Sequence, residues 1–378
     1  MIPGKIGIKA FCAFLYIMKI NVSCLLCLLS ALYLFAGCNK SEGISQDVNK
    51  EPQKEEEKVP AEKVVVEFGS STSGSGTKTA YSDEKYFDEG LYFYRVSWLE
   101  NDRVGILSPE ISASQSLYSV KSPENNGRYS TAKFKAVDAG SALCWGEPGD
   151  YTFYGMYPYS EGCLTSDGKA EFSLPQDQTP DSEQWSGDSY VASPNPDYMF
   201  MTAGTCVAKS REVRSPKVTL PFVMLPTVLR FKISGAADMT VKSISLISGS
   251  DNLCGSLSAA ITAGGGFPTC VSDNGQTSVS MTFNGGGHAS IAKGKYLEFS
   301  FFLLPIKDLS NLTFRIALDY DSVESVVSTS LKVGGQAYVF NPHKRYDVEG
   351  LVIPNAVKWT IREMAMVTPW TDVEEELN

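Results

Sequence analysis

Apolar residues in this chain recur at every second position, and that spacing fixes the backbone the chain can adopt. Successive side chains of a strand point to opposite faces, so a period of two marks a sheet with one covered side. Tyr92, Tyr94, Val96 and Trp98 fall on one side of such a run, with Arg95 and Ser97 on the other. Leu229, Phe231 and Ile233 alternate with Val228, Arg230 and Lys232. Leu312, Phe314, Ile316 and Leu318 alternate with Thr313, Arg315 and Ala317. Val279, Met281 and Phe283 make a shorter run, and Leu297, Phe299, Phe301 and Leu303 make one that is apolar on both sides. Turn-forming stretches such as Gly264-Gly265-Gly266 and Asn284-Gly285-Gly286-Gly287 lie between them. Long helical periodicity is absent. Many short strands joined by such turns predict an all-β protein built of sandwiches or barrels.

Ser173 to Asp197 breaks the pattern. It carries Pro175, Pro180, Pro194 and Pro196 among many Asp, Ser and Gln residues. Proline inside a sheet removes a ladder hydrogen bond, so this stretch is predicted to be a long surface loop near the end of a first domain. Arg211 to Lys217 is polar and leads into Val218-Thr219-Leu220-Pro221-Phe222, a further strand signal. The domain boundary is placed near residue 215, giving an N-terminal β-sandwich over 63–215 and a C-terminal one over 216–378. About 315 residues beyond the N-terminal segments are enough for two domains of ordinary size.

Residues 1–38 contain Lys5, Lys9 and Lys19 and no acid, and the chain from Ile20 to Ala36 is nearly all apolar. Leu34-Phe35-Ala36-Gly37-Cys38 follows, and then polar sequence. A positive region, an apolar run and small residues before a cleavage point make a secretory signal. The uncharged stretch after Lys19 is shorter than the ~20 residues of a spanning helix. The small pair before Cys38 resembles the lipobox of bacterial lipoproteins, which implies a signal peptide over 1–37 and a Cys38 acylated with fatty chains such as palmitate. Met18-Lys19 would also make a natural start. Residues 38–62, with Glu55-Glu56-Glu57-Lys58, are nearly free of apolar side chains and read as a disordered tether.

The full chain carries a net charge of −10, and the part after Cys38 has 30 basic against 43 acidic residues, a net −13. Nucleic-acid binding needs a basic footprint, so no such partner is expected. Five cysteines follow Cys38: Cys144, Cys163, Cys206, Cys254 and Cys270. None forms a CxxC pair, and the only histidines are His288 and His343, so the spacing of a zinc site is missing. No metal or other cofactor is expected. The cysteines read as small buried residues, with Cys254 and Cys270 the pair considered for a disulfide. No nucleophile elbow or phosphate loop occurs, and an enzyme is not the expected reading.

Five segments, in order, resemble the fimbrillin family of Bacteroidales, the Mfa-like group that includes type V pilus subunits. They are Trp98-Leu99-Glu100-Asn101-Asp102-Arg103-Val104-Gly105-Ile106, Tyr154-Gly155-Met156-Tyr157-Pro158-Tyr159, Leu220-Pro221-Phe222 with Leu229-Arg230-Phe231-Lys232-Ile233, Phe301-Phe302-Leu303-Leu304-Pro305, and Gly335-Gln336-Ala337-Tyr338. The resemblance covers roughly residues 63–353. Around Met224 the chain departs from a histidine that the family often carries. Trp98 and Asp102, though inside a family segment, read as structure: a core aromatic and a turn carboxylate that bonds backbone.

The resemblance implies two transthyretin-like β-sandwiches in tandem and a role as pilus subunit or accessory adhesin in cell adhesion. It also implies assembly by strand exchange. A protease removes the first strand, and the exposed groove accepts a strand from another subunit, a form of β-strand addition. The strand to be released would hold Val64, Val66 and Phe68. Cleavage would fall at Lys78 and Thr79, after the Ser/Gly-rich stretch Gly69–Gly76; the family usually has Arg where this chain has Lys78. Val357, Trp359, Ile361, Met364 and Met366 would form the donor strand, though the same tail could be the last strand of its own domain. The implied location is the outer membrane, at the cell surface or in a fimbrium. The partners would be other fimbrillin subunits, the lipid bilayer and a host or glycan ligand. Stalk, tip and anchor positions stay open.

A second reading of a different class is a surface glycan-binding lipoprotein. Trp145, Trp185, Tyr190 and Tyr198 are its candidate sugar-stacking residues, and Trp185 and Tyr190 fall in the proline-rich stretch.

Overall fold

The run Leu229, Phe231, Ile233 is wholly buried, while Arg230 and Lys232 keep partial access to solvent. That division recurs along Thr313–Tyr320, where Phe314, Ile316 and Leu318 are buried and Arg315 is exposed. The period read from the sequence is thus the period of burial. In this computed structural model the described residues are 63–71, 80–88, 91–121, 132–283, 289–320, 322–353 and 356–364. All of them belong to the compact unit Ala61–Asn378. Its described secondary structure is β throughout, apart from two short 3-10 turns at Ala139–Ser141 and Pro196–Tyr198.

Two hydrophobic cores organise this unit. An eight-stranded sheet covers the first. Its spatial order is Val218–Pro221, Phe68–Ser71, Ala132–Ala136, Ser116–Lys121, Arg103–Leu107, Gly149–Tyr157, Met201–Lys209 and Val223–Met224. The two outermost strands are neighbours in sequence, separated only by Phe222. The sheet therefore rolls around its core until its edges are joined by one covalent segment. Trp98 sits at the centre, fully buried, with the rings of Phe134, Tyr157 and Phe222 edge-on at 5.3–5.4 Å. Edge-to-face packing suits the positive rim and negative face of aromatic rings.

A four-stranded sheet built on Cys254–Ala260 also contributes to the first core through Cys254, Leu257 and Ala259. Here Lys169–Leu174 pairs antiparallel with Cys254–Ala260. Each of these two strands comes from a different half of the chain.

The second core lies between two six-stranded sheets. One runs Glu183–Ser186, Ser189–Ala192, Tyr296–Leu303, Thr227–Gly235, Arg345–Ile353, Ala356–Met364. The other runs Val323–Ser330, Thr313–Tyr320, Met239–Ile247, Ser278–Met281, Asp177–Gln178, with Ala289–Ile291 also pairing with Met239–Ile247. Phe231 anchors this core, with Phe299 stacked at 5.1 Å and Phe314 at 5.2 Å. Tyr296–Leu303 lies at the seam. Phe299, Phe301 and Leu303 belong to the second core and Phe302 to the first, which explains why the sequence of this strand is apolar on both sides.

Two expectations need correction. Ser173–Asp197 is not a long surface loop. It contains the strands Asp177–Gln178, Glu183–Ser186 and Ser189–Ala192, which join the sheets of the second core. None of its prolines falls inside a strand: Pro175 precedes Asp177–Gln178, Pro180 follows it, Pro194 follows Ser189–Ala192, and Pro196 opens the turn Pro196–Tyr198. Gln178 is fully buried and does the work of a strand: Phe302 N–H donates to its Oε1 at 3.0 Å, and its Nε2 donates to Phe302 O at 2.7 Å.

The Cys254–Cys270 disulfide is absent, and all five described cysteines are free. Cys254 pairs in register with Gln276, and Cys270 with Ala259, five positions further along the same strand. At about 3.3 Å per residue that offset is roughly 16 Å, beyond the ~7 Å that a disulfide can bridge. Of the five, only Cys254 is buried, and Cys206 is exposed.

Candidate functional site

The segment Lys63–Ser71 enters the molecule as a strand with a neighbour on each side. Its first residues reach toward the Leu143–Trp145 segment: Val65 bridges Cys144, Val66 N–H donates to Leu143 O at 2.9 Å, and Trp145 N–H donates to Val64 O at 2.9 Å. From Phe68 the strand pairs antiparallel with Ala132–Ala136 and parallel with Val218–Pro221. Val218 N–H donates to Glu67 O at 3.0 Å, and Ala132 N–H donates to the buried Ser70 Oγ at 2.9 Å. Lateral partners therefore occupy both edges of this short segment.

Its side chains fill a slot in the first core. Val66 and Phe68 are buried, while Val64 is 39% exposed where the strand begins. The Phe68 ring meets Tyr118 at 5.1 Å and Phe153 at 5.4 Å, both edge-on. Burial pushes the Tyr118 phenol up to about 12, and its oxygen accepts a hydrogen bond from Leu143 N–H at 2.9 Å. Lifting this strand out would uncover Tyr118 and Phe153 and leave ladder groups without partners. Each buried polar group left unpaired costs about 1–3 kcal/mol.

At the other end of the chain, Ala356–Met364 pairs antiparallel with Arg345–Ile353 and forms the edge of its sheet. Val357 and Ile361 are buried in the second core. Trp359 and Met364 lie on the same strand. Cys38, Lys78, Thr79 and Met366 lie outside the described residues.

Among the aromatics considered for sugar stacking, Trp145 is buried against Tyr151 and Phe153, and Tyr198 packs edge-on to Phe302. Trp185 and Tyr190 instead form a pair on the edge hairpin Glu183–Ala192. Asp102 caps its own turn, taking Leu99 N–H on Oδ2 at 2.7 Å. Gln178 escaped the sequence reading, because its partner Phe302 is 124 positions away. Among the described residues no group of three or more His, Cys, Asp or Glu side chains could hold a metal ion.

These features define an all-β protein with two cores, whose leading strand is locked inside a sheet. No family model matches the chain, and no curated protein matches it. Solved structures do. The chain is similar to a candidate cell adhesion protein from Bacteroides uniformis, with a TM-score of 0.50 at 16% identity, over 83% of this chain and 100% of that one. A candidate cell adhesion protein from Bacteroides ovatus aligns with a TM-score of 0.46 at 17% identity, over 81% and 99%. The tip fimbrial protein Mfa3 from Porphyromonas gingivalis, truncated at its C-terminus, aligns with a TM-score of 0.36 at 8% identity, over 80% and 100%. The fold of this chain is that of the Bacteroides uniformis protein, an all-β fold as the alternating sequence predicts.

Proposed function

We propose that this chain is a non-enzymatic cell-surface protein of the fimbrillin type, a pilus subunit or accessory adhesin that assembles by strand exchange. The observation that carries the reading is the place of the leading strand. It follows the charged stretch Glu55-Glu56-Glu57-Lys58 in sequence and is paired on both edges inside the first sheet. A strand so placed can be severed from the rest by one cut in the segment after it. The similarity of fold to a candidate cell adhesion protein supports the adhesion part of the proposal.

In this reading Cys38 carries the lipid that holds the chain on the outer membrane, since stable anchoring needs more than one acyl chain. Hydrolysis of the Lys78–Thr79 bond frees Val64, Val66 and Phe68. The emptied slot between Ala132–Ala136 and Val218–Pro221 then accepts an extended segment from another subunit. The donor is the tail bearing Val357, Trp359, Ile361, Met364 and Met366. For Val357 and Ile361 to reach a neighbour, the terminal strand must first peel from Arg345–Ile353, so the segment beyond Met364 is the part that can donate at least cost. Lys169–Leu174 pairs with Cys254–Ala260 and Val218–Pro221 with Phe68–Ser71, so the two proposed domains, 63–215 and 216–378, would travel through assembly together.

The test is limited digestion of the purified chain with a lysine-specific protease, alongside Lys78→Gln. The expected result is an SDS-resistant ladder from wild type and monomer from the variant. Monomer from both, with the leading strand shown to be released, would overturn strand exchange.

A further inference from the structure

We propose that the edge hairpin Glu183–Ala192 carries a binding site for neutral saccharides, with the Trp185 indole as its stacking surface. The proposal deepens the adhesin reading by naming what is adhered to.

The hairpin forms the open edge of a six-stranded sheet, joined to the rest of it through Ser189–Ala192 on Tyr296–Leu303. Trp185 stands directly across from Tyr190, and Glu183 across from Ala192, so these four share a face. Ala192 is buried in the second core and Tyr190 packs on its rim, whereas Trp185 overhangs and is 50% exposed. Its ring is held from one side, with the Tyr190 ring 5.5 Å away at 72°. Tyr190 is fixed in turn, its hydroxyl donating to Glu183 Oε2 at 3.0 Å. The turn is equally constrained. Gly187, at φ +58°, takes the first central position of a two-residue connection, where a tight hairpin wants glycine. Lys295 on the neighbouring segment pairs with Asp188. The indole is therefore braced on one side and half exposed to solvent, with Tyr190, another aromatic nominated from the sequence, as its brace.

The surroundings decide the ligand. A protein partner would cover about 800 Å² on each side, with an apolar centre. On the face that Trp185 shares, Glu183 presents carboxylate oxygens that can accept from sugar hydroxyls, and the turn beyond it carries the Asp188–Lys295 pair. A pyranose ring offers the complement. One face carries C–H groups whose positive hydrogens suit the negative face of an indole, and its rim carries hydroxyls that donate and accept. Charge narrows the class. The Glu183 carboxylate stands on the face of the indole while Asp188 is neutralised by Lys295, so a neutral sugar is favoured over sialylated, sulfated or uronic-acid ones.

The experiment applies the purified full-length chain to immobilised neutral oligosaccharides of glucose, galactose and mannose, with sialylated and sulfated glycans beside them. Titration of tryptophan fluorescence with the best neutral binder follows. The expected result is binding to neutral glycans that weakens at least tenfold in Trp185→Ala and is largely kept in Trp185→Tyr. The exposed position of Trp185 lets both variants fold, which circular dichroism checks. Absence of neutral-glycan binding, equal binding by Trp185→Ala, or preference for acidic glycans would each overturn the proposal. Because polymer formation is scored separately with Lys78→Gln, a chain that assembles but binds no glycan sinks this proposal alone. A chain that binds glycan but never assembles sinks strand exchange alone.

Discussion

Gln178 performs a task that elsewhere takes a whole strand. Beyond the point where Ser189–Ala192 stops pairing with Tyr296–Leu303, the backbone of Phe302 would have an open edge, and the Gln178 amide closes it with one donated and one accepted bond. Gln178→Ala leaves both groups buried without that partner. The expected loss is about 1–3 kcal/mol per unsatisfied group, read as a lower urea midpoint at unchanged slope. Glu298 is the second residue of this kind. Burial alone would raise its carboxyl, but Arg230 at 2.5 Å, Ser189 and Lys232 outweigh that and hold it below its ordinary 4.5. The stabilisation is complete above pH 4.5 and is lost as the pH falls through the depressed value of the folded state. Acid unfolding of Glu298→Gln, followed by fluorescence, should therefore be less steep in that window than wild type. Trp98 and Asp102 were legible from sequence, because a large aromatic ending an alternating run reads as core whatever its partners, and a turn carboxylate bonds its own turn. Gln178 and Glu298 were not, because their roles depend on partners more than sixty positions away.

Alternating runs announced the central strands, since burial on one side imposes a period of two. Short edge strands gave no such signal. Asp177–Gln178 and Glu183–Ser186 have too few residues for a period, and the prolines beside them read as loop. The cysteines misled for a related reason: pairing depends on register, and a sequence shows spacing only. The terminal strand was left open between donor and resident. Its pairing with Arg345–Ile353 and the burial of Val357 and Ile361 make it resident at least to Met364. Deleting 357–378 should therefore remove two buried side chains at roughly 1.5–3 kcal/mol each together with a ladder, and deleting 365–378 spares both. Assembly lost on the shorter deletion, with the monomer still folded, would locate the donor beyond Met364. A normal ladder from that variant would exclude it.

Across the whole molecule, the all-β class was legible and the sharing of strands was not. Val218–Pro221 closes the first sheet against Phe68–Ser71, and Cys254–Ala260 contributes to the first core, although both lie past residue 215. Such long-range ladders leave no local trace, since each strand has the same pattern whichever sheet it joins. The consequence is mechanical. The slot that the leading strand fills is walled by Ala132–Ala136 on one side and by Val218–Pro221 on the other. A strand entering from a second subunit would engage residues from both halves of the acceptor and tie them together. In the proposed assembly each subunit has exchanged its leading strand. Amino-terminal sequencing of polymer sheared from the cell surface tests this directly. A start at Thr79 is expected, and polymer that retains Val64 to Phe68 in the same chain would overturn strand exchange.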